Sequence, residues 1–457
     1  LGQFDTSFDG NEQQGLFAPS GDAAGSDQSP DASLGNWLEI NGQVYDGELD
    51  LSWTFSPHMF DAHTLKTLAD DYAGELQALI EHCCLPSTQG VTPSDFALVQ
   101  LTQQQLEGLP VPARDIEDIF PLSAMQQGML FHSLYQQDAS DYINQMRLDI
   151  DGLDTARFRD AWQAAVDAHD SLRSGFIWQG ELDHPLQIIR KQAPLSFVEY
   201  DWRAHPELAA ALDAAAAAEQ AQGFDLGEAP LLRLTLIRTG EQRHHLIYTH
   251  HHILMDGWSN SQLLGEVLQR YSGQQAMAPV GRYRDYMAWL ASQDTARSEL
   301  FWKAQLRPLS EPTRLIQAFG ATPVPVQAEP AYGDYQQLFA AARTHRLNEF
   351  ARQHKVTLNT VLQAAWLLLL QRHTGLDTVA FGATVAGRPA ELPGIEQQVG
   401  LFINTLPVVA PPSPQLSGTD WLAQVQAQNL RLREQEQTPL HEIQPSAVLG
   451  RDGVVGR

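Results

Sequence analysis

Apolar and polar residues alternate over Glu48 to Ser56, where Leu49, Leu51, Trp53 and Phe55 share one face at a period of two. This predicts a strand with one side buried. The period then lengthens: Leu65, Leu68, Tyr72, Leu76, Leu79 and Ile80 recur at three- and four-residue spacing and predict an amphipathic helix ending near Cys83. One strand and one helix are too little for a domain. From Leu85 to Asp115 the chain is punctuated by Pro86, Gly90, Pro93, Gly108, Pro110 and Pro112, a linker pattern with a short helical piece around Thr102 to Leu106. Ahead of the strand, Thr6 to Asn36 is dominated by Gly, Ser, Asp, Gln, Asn and Pro and reads as a loop or disordered insertion, since its few apolar residues cannot offset the entropy of ordering.

A second organisation begins at Ile116. Ser123 and Gln126 stand at capping-box spacing and open a helix whose Met125, Met129, Leu130 and Leu134 form an apolar core stripe. Another helix opens at Asp154, buries Phe158, Trp162, Val166 and His169, and delivers Leu172 and Arg173 just past its end. Ala209 to Ala218 is helical by propensity alone. Leu231 to Arg238 and His245 to Leu254 are strand-like, joined by the turn-forming Thr239-Gly240-Glu241. Beyond Trp289, an apolar helix over Leu358 to Leu370 precedes strand-like runs at Thr378 to Val385 and Leu401 to Val409. Helices and strands mix without a short repeat, which predicts an α/β architecture of two similar-sized lobes.

Composition narrows the function classes. The 457 residues hold 29 Lys+Arg against 55 Asp+Glu, a net charge of −26, and are long enough for two or three domains of about 150 residues. Nonspecific nucleic-acid affinity comes from neutralising phosphates with cations, so this acidity argues against a nucleic-acid partner. The longest apolar run, Ala364 to Leu370, is far short of the roughly 20 residues of a spanning helix, and Leu1-Gly2-Gln3 lacks a charged-then-apolar signal pattern. The expectation is a cytoplasmic protein without a membrane partner. Neighbouring Cys83 and Cys84 pair only with strain, which fits a reducing compartment, and His82-Cys83-Cys84 reads as a buried helix end rather than a metal site. The lack of an initiator Met suggests that Leu1 lies inside a longer polypeptide.

Titratable side chains concentrate at the end of one apolar strand, in Thr249-His250-His251-His252-Ile253-Leu254-Met255-Asp256-Gly257-Trp258-Ser259. If the alternation of Leu246 and Tyr248 persists, His250 and His252 point to one face and His251 to the other. One imidazole then faces a cavity while its neighbour packs behind it. An imidazole titrating near 6.5 accepts a proton from an amine or hydroxyl at neutral pH, as acyl transfer demands. His250, His252 and Asp256 as a facial metal set is weaker, because no further ligand motif accompanies them. A Ser-His-Asp hydrolase is weaker still without a Gly-x-Ser-x-Gly elbow.

His251-His252-x-x-x-Asp256-Gly257 with Trp258-Ser259 resembles the signature of condensation domains of nonribosomal peptide synthetases, within the chloramphenicol acetyltransferase-like superfamily. Four further motifs in order support the resemblance: Ile116 to His132, His169 to Phe176, Tyr283 to Trp289 and Gly400 to Pro407. The resemblance implies a two-lobed α/β fold whose lobes span residues 116–289 and 290–457, preceded by a linker at 85–115. Residues 1–84 resemble the C-terminal part of an epimerization domain, through Leu1-Gly2-Gln3-Phe4-Asp5, the Trp53 strand, the helix to Cys83 and Thr92 to Phe96. An upstream epimerization domain, the Gly128 to His132 wording and the Ile253-Leu254-Met255 insert imply the subtype that takes a D-configured donor and an L-configured acceptor.

The implied acyltransferase joins two thioesters on phosphopantetheine arms of upstream and downstream peptidyl carrier domains, beside an adenylation domain, with no cofactor bound directly and no metal. His252 is implied as catalytic, orienting or deprotonating the amine. Asp256 is implied to pair with Arg173 and hold the loop, with His251 in support and Gly257 permitting a tight turn. Trp258, Ser259 and Asn404 are candidates for a substrate tunnel, Asn404 alternatively as a backbone cap. Tyr283, Tyr286 and Trp289 read as packing residues. Two departures stand out: Ala386 occupies the place of a common Ser ahead of Gly-Arg-Pro, and residues 445–457 do not resemble the family, so the second lobe is expected to be incomplete. The alternatives weighed are ester formation with the same histidine and a catalytically inert scaffold for carrier docking.

Overall fold

The computed structural model describes residues 2–3, 35–45, 48–85, 90–135, 142–274, 281–320, 333 and 335–443. The loop expected from Thr6 lies outside these residues apart from its last two, and the departure at 445–457 lies wholly outside them. The chain divides into two compact units, residues 1–90 and 91–457.

In the first unit β1 (Gly2–Gln3) runs parallel to β2 (Leu38–Tyr45), which pairs antiparallel with β3 (Glu48–Phe55). The Asp61 carboxylate then caps α1 (Ala62–Cys84) by accepting from the Thr64 amide at 3.2 Å. Strand and helix thus form where the periodicity places them, but their burial is shallower than expected. Only Leu65 of α1 is buried, while Leu49, Leu68, Tyr72, Leu79 and Ile80 are exposed. Cys83 and Cys84 are likewise exposed, which corrects the buried helix end. Tyr72 meets Trp53 edge-on at 5.7 Å, so the helix has a contact to its own sheet, and among the described residues of this unit no second layer covers the rest of its stripe.

The second unit starts with a packed segment where the composition suggested a linker. A Thr102–Gln105 capping box opens α2 (Gln103–Glu107), and Phe96, Leu106, Leu109 and Val111 bury themselves against Ile116, Ile119, Ile177, Leu186 and Ile188. The first lobe follows as β4 (Ile116–Pro121), α3 (Ala124–Tyr135), β5 (Ile143–Asp151), α4 (Thr155–Ala168), β6 (Ser174–Ile177), β7 (Leu186–Arg190), β8 (Ser196–Asp201), α5 (Leu208–Gln222), β9 (Leu232–Arg238) and β10 (Arg243–His251). The order β5-β10-β9-β8 makes the main sheet, and β4-β7-β6 a smaller one. Both faces of the main sheet are covered, so β9 and β10 are buried along almost their whole length, polar residues such as Arg233, Thr235 and Thr249 included. Leu234, Leu246 and Tyr248 pack against Phe158 and Trp162 of α4, and Ile237 and Ile247 pack against Ala216 of α5.

The chain continues through α6 (Gly257–Tyr271), α7 (Tyr283–Ala291), α8 (Thr295–Leu306), α9 (Leu315–Ala318), α10 (Ala341–Gln353), α11 (Leu358–Thr374), β11 (Val379–Val385), β12 (Asn404–Ala410), α12 (Gly418–Arg433) and α13 (Leu440–Ile443). In the second lobe β11 and β12 pair antiparallel under Trp302, Leu367, Leu370, Trp421 and Val425. The lobes are joined by the stretch before β12. Val399 and Leu401 enter the core of the first lobe, and Phe402 packs on Tyr283 and Tyr286, which are buried as packing residues. Gly400 allows this approach, since a Cβ there would lie 2.4 Å from the Tyr283 ring. The expected two-lobed α/β fold is present.

Candidate active site

Strand β10 lies between β5 and β9, so its exit is held from both sides. The ladder stops at His251. The His252 amide donates instead to the Tyr142 carbonyl at 2.8 Å, and His252–Leu254 forms a 3-10 turn. The strand expected to reach Leu254 therefore ends three residues early, and the strand alternation that would put His252 on the face of His250 stops with it.

The three imidazoles differ in environment. His250 is buried and stacked on Tyr248 at 4.9 Å, and burial, helped by the neighbouring histidines, pushes it down to about 3. His251 is buried with its Nδ1 accepting from the Ile253 amide at 3.1 Å, and burial pushes it down to about 4. His252 is half-buried, with Nδ1 2.9 Å from the Met255 carbonyl. A carbonyl only accepts, so Nδ1 carries the proton and Nε2 of the neutral ring presents its lone pair. Among the described residues none hydrogen-bonds Nε2.

The buried pair has a consequence for stability. Unfolded histidines titrate near 6.5, so below that pH the unfolded chain binds protons that His250 and His251 refuse in the folded state. Their contribution is complete above about pH 6.5 and is lost as pH falls toward 4 and then 3. Where both differ by a full proton, the slope is about 2.7 kcal/mol per pH unit. Urea midpoints measured between pH 7 and pH 5 should fall, and His250→Gln should flatten part of that fall.

Asp256 is almost fully buried and caps α6, accepting from the Ser259 amide at 2.8 Å and from the Phe402 amide at 3.1 Å. Its ion-pair partner is Arg388, at 3.4 Å, and not Arg173. Arg173 closes the 3-10 turn Asp170–Arg173 and donates to the Glu117 carboxylate and the Arg190 carbonyl, so its charge is compensated elsewhere in the first lobe. Arg388 reaches Asp256 because Gly387 adopts a φ of 62° and its backbone lies against Phe402, where a Cβ would sit 1.7 Å from the carbonyl oxygen. The guanidinium also donates to the Ile395 and Gln398 carbonyls and to Ser259 Oγ, and lies 4.1 Å over the Phe402 ring. Burial lowers the Arg388 pKa, and the Asp256 charge opposes that pull.

The remaining candidates separate. Ser259 Oγ donates to the Gly400 carbonyl at 2.7 Å and accepts from the Gly400 amide at 3.1 Å, so it fastens the lobes together. Trp258 is exposed and donates to the Glu396 carbonyl at 3.0 Å. Gly257 simply begins α6: its φ is not positive and nothing lies within 4 Å of a Cβ position, so the turn there does not require glycine. Asn404 spends its amide on the backbone, donating to the Glu436 and Thr438 carbonyls at 2.8 and 2.7 Å while its oxygen accepts from the Thr405 amide. It acts as the cap, not as a tunnel group. Among the described residues no three His, Cys, Asp or Glu side chains converge as a metal site requires. Sequence reasoning missed Arg388; the signal was Gly387-Arg388-Pro389, a cation held between a residue permitting positive φ and one that restrains its neighbour.

Comparison with known proteins adds a family. A model described as "Condensation domain" matches residues 116–453, a range that runs into the segment after residue 445 set apart by its wording. The chain is 36% identical over 459 residues to one of the linear gramicidin synthase proteins of Brevibacillus parabrevis, covering 99% of this chain and 6% of that protein. It is 35% identical over 499 residues to chondramide synthase cmdD of Chondromyces crocatus, covering 97% of this chain and 12% of that protein. The chain thus spans a small fraction of these relatives. Among solved structures, the condensation domain of the monacolin K polyketide synthase MokA aligns with a TM-score of 0.61 at 18% identity, over 72% of this chain and 76% of that one. The EpoB cyclization-docking bidomain from Sorangium cellulosum aligns with a TM-score of 0.60 at 18% identity, over 89% and 77%. These likenesses show the fold.

Proposed function

Because the chain belongs to the condensation-domain family, we propose that it joins two carrier-borne thioesters by an amide bond, with His252 handling the acceptor amine. The observation that carries this reading is the half-buried imidazole whose Nδ1 is tied to the Met255 carbonyl, leaving Nε2 for a substrate proton. The acceptor nitrogen attacks the donor thioester carbonyl, the C–N bond forms and the C–S bond breaks. The nitrogen's proton passes to Nε2 and on to the departing sulfur, which leaves as the free thiol of the donor arm. Aligning two tethered reactants supplies on the order of 7–11 kcal/mol of the barrier, so the imidazole orients the amine as well as relieving it of a proton.

Both substrates arrive on phosphopantetheine arms of peptidyl carrier domains on either side, with an adenylation domain adjacent. The donor is D-configured and the acceptor L-configured. The Gly128 to His132 wording, the Ile253-Leu254-Met255 insert and the likeness of residues 1–84 to the end of an epimerization domain support that choice. In a competition between equal amounts of D- and L-configured donor thioesters on carriers, read by product mass after isotopic labelling of one donor, the D-derived product should dominate by at least tenfold. Equal products or an L preference would refute the subtype.

A further inference from the structure

A cavity of about 270 Å³ lies in the second lobe between α11, the β11–β12 pair and α12, with Gln363, Thr384, Ala386, Asn429, Arg433 and Glu436 among its lining residues. Arg388 also lines it, so the residue that grips Asp256 forms a wall of this space. Arg388, Arg433 and Glu436 also line a second cavity of about 680 Å³. Dry apolar cavities near 150 Å³ accommodate a benzene-sized guest, so this volume holds a side chain with part of its backbone.

The polar groups define the guest. Gln363 Oε1 is buried without a hydrogen-bond partner, and so is Arg388 Nε. A buried amide left unpaired is costly, and a guest with both a donor and an acceptor satisfies it in either flip of the Gln363 amide. Arg433 lies in the field of Glu436 and Arg388 is paired with Asp256, so the charges of the lining already have opposite partners, and a buried carboxylate or ammonium would find no free counter-ion there. Ala386, at the position where a hydroxyl was expected, leaves room and offers no bond of its own.

We propose that this cavity recognises an uncharged carboxamide side chain, of the Gln or Asn kind, on one of the carrier-borne substrates. The proposal rests on the condensation reading for the identity of the guest, not for the existence of the site. The test uses the full chain and calorimetric titration with N-acetylcysteamine thioesters of N-acetylglutamine, N-acetylglutamate and N-acetylnorleucine at up to millimolar concentration. The glutamine probe should bind at least fivefold more tightly than the other two. Gln363→Leu and, separately, Asn429→Leu should reduce that preference to within twofold while leaving norleucine binding unchanged. Equal or unmeasurable affinity for all three probes, or a preference that survives in either variant that remains folded, overturns the site. Amide formation is read independently by product mass: a glutamine preference without product sinks the condensation reading alone, and product without the preference sinks the pocket alone.

Discussion

Replacing His252 with alanine is expected to lower turnover by about 10²–10⁴-fold, the range of a positioned acid or base, while leaving affinity for loaded carriers within twofold. The asymmetry follows from geometry. His252 is half-buried with one nitrogen spent on Met255, and its loss leaves no buried charge and no orphaned amide in the core. Rapid-quench single turnovers with saturating donor and acceptor carriers separate the chemical step from binding. A fall of threefold or less would mean that alignment of the arms supplies almost all of the catalysis. Substituting His251 should act differently, because its Nδ1 holds the Ile253 amide and so shapes the 3-10 turn that presents His252.

Cutting Arg388 back to alanine is expected to cost about 3–5 kcal/mol, because the Asp256 carboxylate stays buried after its compensating charge is removed. Activity should fall with it, since Ser259, Phe402 and the Ile395 and Gln398 carbonyls are fastened through the same guanidinium or the same carboxylate. Urea denaturation of Arg388→Ala, Asp256→Ala and the double variant resolves the pair. The double variant should be less destabilised than the sum of the singles, as expected of partners in one network. Arg173→Ala should show no such coupling to Asp256, because Glu117 is its partner. Full additivity between Arg388 and Asp256, with coupling to Arg173 instead, would reverse the assignment.

Periodicity made much of the fold legible. The helices after Asp154 and Thr357 and the strands around Leu234 and Tyr248 occur where apolar spacing places them, because tertiary packing and local period agree there. In the first unit the same signal marked an apolar helix face but could not say whether any layer covers it, and Leu68, Leu79 and Ile80 are exposed. The motif around His252 was visible as a density of titratable groups. Its geometry was not, since the strand ends by a competition between the β ladder and the Tyr142 carbonyl, which no local pattern encodes. The partner of Asp256 was equally hidden. Arg388 lies 132 positions away, and its approach depends on two backbone contacts, Gly387 against Phe402 and Gly400 against Tyr283, that only the folded chain brings about.

The central claim is that His252 offers a bare Nε2 to the acceptor amine. Nitrogen NMR of the chain carrying ¹⁵N-labelled histidine, with His252→Gln identifying the resonances, reads the proton's position directly. For the neutral ring the account predicts a proton on Nδ1 and an unprotonated Nε2 whose signal moves when an L-aminoacyl thioester is added. A proton on Nε2, or an Nε2 signal indifferent to that substrate, would contradict it.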